Sequence, residues 1–256
     1  MIAWMLYATL VGAVLGGVGL LAEHGVRRLG SPVRWVWASV MATTVGLPFV
    51  VAGIVSGSTP GAGSAAADSL ADTGVLAAWG VVSLLLLTSL RLSAWTLRRN
   101  GREWRGARVA GRRVRLSSRF GPGVVGAVRP QVVLPAWLLD ADEELRGLVV
   151  RHEIEHVRAR DPALLTGALV LTALVPWCLP LWWQLARLRE AIETDCDARV
   201  LPGADAHAYA NALVSIAGRP TSPLLPVPSL RPGRYDLERR IRWITAGARR
   251  SRRTAL

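Results

Sequence analysis

The sequence predicts a mainly α-helical integral membrane protein that also carries a smaller α+β domain. Three long runs contain no charged side chain, at residues 1–22, 35–55 and 73–90. Each run is close to the ~20 residues that an α-helix needs to cross a bilayer core. The chain of 256 residues is 51% hydrophobic and has two cysteines, which excludes both a disordered chain and a disulfide-built scaffold.

The spanning helices are predicted at about residues 1–22, 35–55 and 73–97, which together form a membrane domain over residues 1–97. Their orientation follows from the arginines, because short basic loops stay in the cytoplasm. The segments after the first and third spans are rich in Arg, whereas residues 57–72 contain no basic residue. We therefore expect a multi-pass protein of the cell membrane, with its N-terminus outside and everything after the third span in the cytoplasm.

A helix with a metal-binding pattern is predicted next, with Asp140 as its N-cap and Pro162 at its end. His152 and His156 lie one turn apart on one face of this helix, in the arrangement H-E-x-x-H. In that motif the two imidazoles bind Zn²⁺, and the glutamate between them, here Glu153, deprotonates the water that the metal activates.

Such a site needs a third ligand, and nothing next to the motif supplies it. Asp161 comes one residue before the position that a metzincin-type extension of the motif requires. Glu190, Glu193 and Asp197 share one face of a later predicted helix, and we take Glu193 as the ligand, although spacing alone does not separate it from Glu190. Asp197 is expected to accept a hydrogen bond from the second nitrogen of a ligand histidine. The alternative is a solvated helix face that pairs with nearby arginines.

The uncharged run 163–186 lies between the two halves of this site. As one straight helix it would cross the bilayer and carry Glu193 to the opposite side, where it could not share a metal ion with the histidines. Pro176 and Pro180 interrupt the run, and the thirteen arginines of residues 187–256 favour a cytoplasmic C-terminus. We therefore predict a re-entrant or interfacial helical hairpin, the alternative being a fourth span without a metal site.

Short β-branched runs between the third span and the motif predict a small β-sheet. One of them is the candidate edge strand, which could bind an extended substrate by adding it to the sheet, unless it is ordinary structural sheet. Its residues are Val124, Val125, Gly126, Ala127 and Val128.

The tail, residues 219–256, is first rich in Pro and then predicts a basic amphipathic helix. Leu237, Ile241, Ile244 and Ala248 form its apolar side. Helices of this kind bind anionic lipid headgroups at a membrane surface. Nucleic acid is the less favoured partner, since the sequence contains no recognition motif for it. Cys178 and Cys196 are expected to be reduced thiols, and Cys196 would bind metal only if Glu193 did not.

Taken together, these segments resemble the membrane zinc metallopeptidases of the BlaR/MecR type and, more distantly, the HtpX-like proteases. The matching stretches, spread over about residues 112–245, are VRPQVVLPAWLL, EELRGLVVRHEIEHVRARD, PWCLPLWW and ETDCDARVL. The resemblance implies a gluzincin-like α+β zinc peptidase domain at residues 98–218. It also implies that His152, His156 and Glu193 bind zinc and that Glu153 is the catalytic base.

Sensor members of that family continue into a further span and an extracellular penicillin-binding domain, which this sequence lacks, so β-lactam sensing is not carried over. We expect a zinc endopeptidase that cleaves a protein substrate, such as a transcriptional repressor or another regulator, at the cytoplasmic membrane face. The alternative is a non-catalytic membrane signalling or scaffold protein with a structural zinc site. The sequence leaves the oligomeric state open.

Overall fold

The computed structural model describes residues 1–58, 66–219 and 237–246. The chain forms two compact units. The first contains Met1–Leu92 and Leu165–Ala191, and the second contains Ser93–Leu164 and Ile192–Leu256. The first unit thus contains residues 165–186 of the predicted hairpin together with the spans, and the second contains the described tail residues 237–246 together with the motif helix.

Three long apolar helices dominate the first unit: α1 (Ile2–Arg28), α2 (Arg34–Ser58) and α3 (Ala66–Asn100). Each contains a stretch that is long and apolar enough to cross a membrane, judged by length and composition. Many of their large apolar side chains are exposed, including Leu6, Leu10 and Leu84. The three predicted spans are thus present as helices, and their exposed apolar surface suits lipid better than water.

A row of buried glycines on α1 brings the helices of this unit close together. Gly12, Gly16 and Gly19 are buried on one face of the helix. A Cβ atom added at Gly16 would lie 2.6 Å from the Trp183 ring, so no larger side chain fits there. Gln184, one residue further along, donates hydrogen bonds to the Gly12 carbonyl at 2.9 Å and to Thr44 Oγ1 at 3.0 Å.

The run predicted to enter and return forms two helices, α5 (Asp161–Leu174) and α6 (Leu179–Val200), rather than one. The break at residues 175–178 contains Pro176, which cannot continue a helix hydrogen-bond ladder. At this turn Trp79 of α3 donates a hydrogen bond to the Leu174 carbonyl at 2.7 Å, and the Trp177 ring packs against Trp79. The turn is therefore held by α3, a helix of the first unit, which we call the apolar unit after its three long apolar helices.

A four-stranded sheet forms one layer of the second unit. Its strands are β1 (Arg105–Val109), β2 (Arg112–Ser117), β3 (Gly123–Val125) and β4 (Gln131–Pro135), in the order β1-β2-β4-β3. The β2–β4 pair is parallel and the other two pairs are antiparallel. One face of the sheet packs against the motif helix α4 (Glu143–Arg158), with Val132 and Leu134 in the same core cluster as Val149 and Val150.

The ends of α4 differ slightly from the prediction. Its N-cap is Asp142, whose carboxylate accepts a hydrogen bond from the Leu145 amide at 2.6 Å, whereas the predicted cap, Asp140, ends a preceding 3₁₀ turn. At the other end Arg160 adopts a left-handed conformation with φ of 56°. Left-handed geometry costs a non-glycine residue about 1–2 kcal/mol, and here it occurs just after the end of α4, one residue before α5 begins at Asp161.

Two further helices complete the second unit: α7 (Ala206–Ala217) and a C-terminal helix, α8, at residues 237–246. Ile244 of α8 is fully buried in a cluster with Val200 and Tyr209, and Leu237 and Ile241 pack against that cluster. The apolar side predicted for the tail is therefore present where the tail is described, and there it packs against this cluster. Ala248 and the rest of the tail lie outside the described residues.

The packing around Gly16 leads to a matched pair of substitutions. Gly16→Ala should destabilise the apolar unit by about 1–3 kcal/mol, because its methyl group overpacks the Trp183 contact. Gly17→Ala should have little effect, since nothing lies within 4 Å of a Cβ added there. Thermal unfolding of the detergent-solubilised protein measures both, and equal melting temperatures for the two variants would contradict this packing.

Candidate metal centre

Two histidines of α4 form the centre of the site. His152 and His156 are one turn apart, and their Nε2 atoms lie 3.1 Å from each other. The rings meet edge to face, and each side chain is 12% exposed. Helical spacing alone produces this pairing, which is why the sequence predicted it.

Glu193 of α6 faces the same two nitrogens. Its Oε2 lies 3.7 Å from His152 Nε2, and its Oε1 lies 3.8 Å from His156 Nε2. Ligands of a tetrahedral zinc ion at ~2.0–2.1 Å are about 3.3 Å apart, so a small adjustment would let all three groups share one ion. Glu190, the other candidate, instead accepts a hydrogen bond from Arg187.

Cys196 is a second nearby donor. A ligand atom from each of His152, His156 and Cys196 can be chosen so that all three atoms lie within 4.8 Å of one another. The Cys196 sulfur, however, lies 3.4 Å from Nδ1 of His152, on the opposite edge of the ring from the nitrogen that faces Glu193. The donor set of nitrogen, oxygen and sulfur atoms is compatible with a transition metal such as zinc.

The outer nitrogen of each histidine has its own partner. Asp161 Oδ2 lies 2.9 Å from His156 Nδ1, and Tyr209 Oη lies 2.8 Å from His152 Nδ1. Asp197 was expected to bind a histidine directly, but its Oδ1 is 3.8 Å from His152 Nδ1 and instead accepts the Tyr209 hydroxyl at 2.7 Å. Asp197 therefore contacts His152 through the Tyr209 hydroxyl, whereas Asp161 is the carboxylate that lies within direct hydrogen-bond distance of a histidine.

Arg240 of α8 enters the site from the tail. Its Nε and Nη2 each donate to a different oxygen of Asp197 at 2.8 Å, and its Nη1 lies 2.9 Å from Glu193 Oε2. Asp197 is fully buried, so this guanidinium supplies the counter-charge that a buried carboxylate needs. The tail helix therefore contacts both acidic residues of α6 that lie near the histidines, Glu193 and Asp197.

Glu153 is buried on α4 between the two histidines. Among the described residues, its carboxylate has no hydrogen-bond or ion-pair partner. Burial raises the pKa of Glu153 above its usual value, because a charged carboxylate loses solvation there. The group is therefore available to accept a proton.

The charges of the site are strongly coupled. Burial lowers the pKa of His152, but hydrogen bonds to Cys196 and Glu193 outweigh it and raise this pKa to about 10. Burial also lowers the pKa of His156, but Asp161, Cys196 and Glu193 together outweigh it and raise this pKa well above its usual value. Glu193 behaves in the opposite way: burial raises its pKa, yet Arg240 and the two imidazoles hold it well below the usual value. The arrangement therefore stabilises positive charge between Glu193 and the imidazoles.

The candidate substrate strand is shorter than predicted. Val124 and Val125 belong to β3, which is an edge strand paired only with β4. Gly126 has φ of 100°, a conformation that ends the strand, so Ala127 and Val128 lie in the turn that follows. The free edge that β3 offers is thus limited to Gly123–Val125, whereas β1 forms the opposite edge of the sheet.

One known protein family matches a stretch of the chain that contains every residue of this site. A family model described as "BlaR1 peptidase M56" matches residues 73–244, about two thirds of the chain. The match runs from α3 to α8 and includes both histidines, Glu193, Tyr209 and Arg240. No curated protein matches the chain.

Tyr209 gives a direct test of the outer hydrogen bonds. Tyr209→Phe should lower the affinity for a divalent metal about 10- to 100-fold, because His152 loses the partner that fixes its tautomer. Asp161→Asn should act similarly through His156. Competition with a chromophoric chelator measures the affinity, and Tyr7→Phe, the same change at an exposed position of α1, is the control. Unchanged affinity in both site variants would rule out this role.

Arg240 gives a second test. Arg240→Leu leaves the buried Asp197 carboxylate without its counter-charge, which should cost about 3–5 kcal/mol and release α8 from the unit. Arg242→Leu should be nearly neutral, since that side chain is 79% exposed. Denaturant unfolding reports the stability and limited proteolysis reports the release of α8. Equal behaviour of the two variants would contradict the burial described for Arg240.

Proposed function

Because the chain belongs to the BlaR1 peptidase M56 family, we propose that it is a membrane-embedded zinc-dependent endopeptidase. The observation that carries the proposal is the convergence of three donors: two Nε2 atoms 3.1 Å apart and a carboxylate within 4 Å of both. The two histidines come from α4 and the carboxylate from α6, helices that are separated along the chain by α5. A metal centre is the simplest reason to bring two nearly buried imidazoles and a partly exposed carboxylate together.

We assign zinc to His152, His156 and Glu193. The hydrogen bonds of the site support this choice, because Tyr209 donates its hydroxyl proton to Asp197 and so can only accept from His152 Nδ1. Asp161, a carboxylate, likewise accepts from His156 Nδ1. With a metal ion bound in place of the extra protons, both imidazoles would be neutral, carry their proton on Nδ1 and present an Nε2 lone pair on the side of Glu193. Cys196 lies at the Nδ1 edge of His152 and is not assigned as a ligand.

The chemistry follows from the groups that surround this position. A zinc ion held there would lower the pKa of a water molecule and polarise the carbonyl of the peptide bond to be cleaved. Glu153 would take the proton from that water and pass it to the leaving amine, a role for which its burial and raised pKa are suitable. Asp161, Tyr209 and Asp197 would keep the imidazoles oriented throughout.

We propose that an extended segment of a protein substrate pairs with the free edge of β3, at Gly123–Val125. Backbone hydrogen bonds along such an edge give affinity with little dependence on sequence. The strand lies in the same compact unit as the histidines and packs against α4, which makes it the natural guide for a chain approaching the site.

The three apolar helices and the family support a membrane location, and the arginine distribution supports a cytoplasmic metal site with the N-terminus outside. We propose a regulatory protein at the cytoplasmic membrane face as the target. The described part of α8 buries its apolar side, so binding of anionic lipid by the tail would rest on its exposed arginines.

Substitution of Glu153 separates catalysis from metal binding. Glu153→Gln should keep one equivalent of zinc and lower the rate of cleavage by about 10²- to 10⁴-fold, because only the base is lost. His156→Ala and Glu193→Ala should lose both metal and activity, whereas Cys196→Ala should keep both. Zinc is counted by elemental analysis, and cleavage is followed by mass spectrometry on a peptide library made from a whole-cell lysate.

The same variants test the alternative of a non-catalytic signalling or scaffold protein. A structural zinc site requires no general base, so Glu153→Gln would then match the wild type in every assay. Absence of cleavage in the wild-type protein loaded with zinc would also count against the peptidase. Loss of zinc in Cys196→Ala, with zinc retained in Glu193→Ala, would transfer the third ligand position to the thiol.

A further inference from the structure

A groove on the second unit lies apart from the metal centre. Its volume is about 620 Å³, and it is bordered by the end of α3, by β2 and by the turn between β3 and β4. The side chains that define its character are Arg98, Arg102, Arg115, Arg129 and Val128. No residue of the proposed metal centre lines it.

The groove lies on the face of the sheet that is turned away from α4. Side chains alternate between the two faces of a strand, and Val124, Val132 and Leu134 belong to the core shared with α4. Val125, Gln131 and Arg115 alternate with them and line the groove. The groove and the core that contacts α4 therefore lie on opposite faces of the sheet.

The lining is strongly basic. It contains four arginines and no carboxylate. Arg115 donates to the Trp104 carbonyl at 3.3 Å. Within the described ranges, the guanidinium groups of Arg98, Arg102 and Arg129 have no ion-pair or hydrogen-bond partner. Guanidinium groups bind phosphate oxygens in bidentate geometry, so a phosphate-bearing ligand matches this set.

The position of the groove indicates where such a phosphate would come from. Arg98 lies in the last turn of α3, the helix whose apolar stretch Asp72–Asn100 is long enough to cross a membrane. Just before it on the same helix, Leu92 and Trp95 are 57% and 54% exposed, and Arg99 stacks over the Trp95 ring. Exposed tryptophan and arginine at the end of an apolar helix are typical of the headgroup level.

The turn between β3 and β4 provides the other wall. At this turn Val128 is 91% exposed, so an apolar side chain stands beside Arg129 at the rim of the groove. An apolar tip next to a basic pocket suits a lipid, whose phosphate enters the pocket while its glycerol and chains contact the tip. An acidic peptide would gain nothing from the exposed valine.

We propose that this groove binds the headgroup of an anionic phospholipid of the leaflet in which α3 ends. The lack of a lining carboxylate disfavours zwitterionic lipids, because their cationic amine would have no partner. The inference depends on the membrane insertion of the proposed function but not on peptide hydrolysis. Glu153→Gln should therefore bind lipid as the wild type does, so a failed lipid test and a failed peptidase test are distinguishable.

Native mass spectrometry of the full chain in detergent tests the proposal, with phosphatidylglycerol and phosphatidylcholine as probes. The wild type should retain phosphatidylglycerol preferentially. Each arginine at a membrane surface contributes about 1 kcal/mol, or roughly 5-fold, so Arg98→Gln with Arg129→Gln should weaken binding about 25-fold. Arg108→Gln with Arg113→Gln removes the same charge from positions outside the groove and should change binding by less than about 3-fold.

An unchanged melting temperature and a monodisperse elution profile check that each variant is folded. If the double variant fails this check, Val128→Asp provides the test, since a carboxylate at the rim should repel the same lipid. Equal binding of the two lipids, or equal loss in groove and control variants, would overturn the proposal.

Inorganic phosphate that displaces phosphatidylglycerol at millimolar concentration would assign the groove to a free anion. Tighter groove-dependent binding of a decaglutamate peptide would assign it to a protein partner.

Discussion

The proposed metal centre depends on one constraint: the residues assigned as its ligands come from two helices, and the chain between them passes through the apolar unit. After α4 the chain leaves through α5 and returns through α6, so the excursion has to end where it began. Asp161, the first residue of α5, lies 3.4 Å from Arg199 in the last turn of α6, which closes this path. Donor atoms that share one metal ion must lie within about 2 Å of it. The helix break at residues 175–178 lets the chain turn back, so that residues of α6 can come close to the histidines of α4.

Features that depend on local periodicity could be predicted from the sequence. His152 and His156, and likewise Glu193 and Asp197, are four residues apart, so a regular helix places each pair on one face. The run QVVLP forms β4 as predicted, because β-branched residues between Pro130 and Pro135 leave little other choice. The strand β1, with the sequence RGARV, was not predicted, since it has no β-branched run and owes its conformation to its pairing with β2.

Contacts between distant residues account for what the sequence left out. Tyr209 lies 57 positions from His152 and Arg240 lies 43 from Asp197, and no spacing rule connects them. Asp161 was considered only as a metal ligand, and its place beside His156 depends on the left-handed Arg160 that separates α4 from α5. The tail shows the limit of composition most clearly, because a basic amphipathic helix has the same pattern whether its apolar side contacts lipid or protein.

The helix α6 runs from the first unit into the second and carries residues that make specific contacts in each. Its first half belongs to the apolar unit, where Gln184 is fully buried against α1 and α2 and Arg187 Nη2 lies 2.7 Å from Glu23 Oε2. Glu193 follows six residues later, about 9 Å along the same helix at ~1.5 Å per residue. Within the second unit the Glu193 carboxylate is held by Arg240, whose Nη1 lies 2.9 Å from Oε2. A carboxylate restrained in this way is pre-positioned for the proposed metal ion, so little ordering remains to be done when an ion binds.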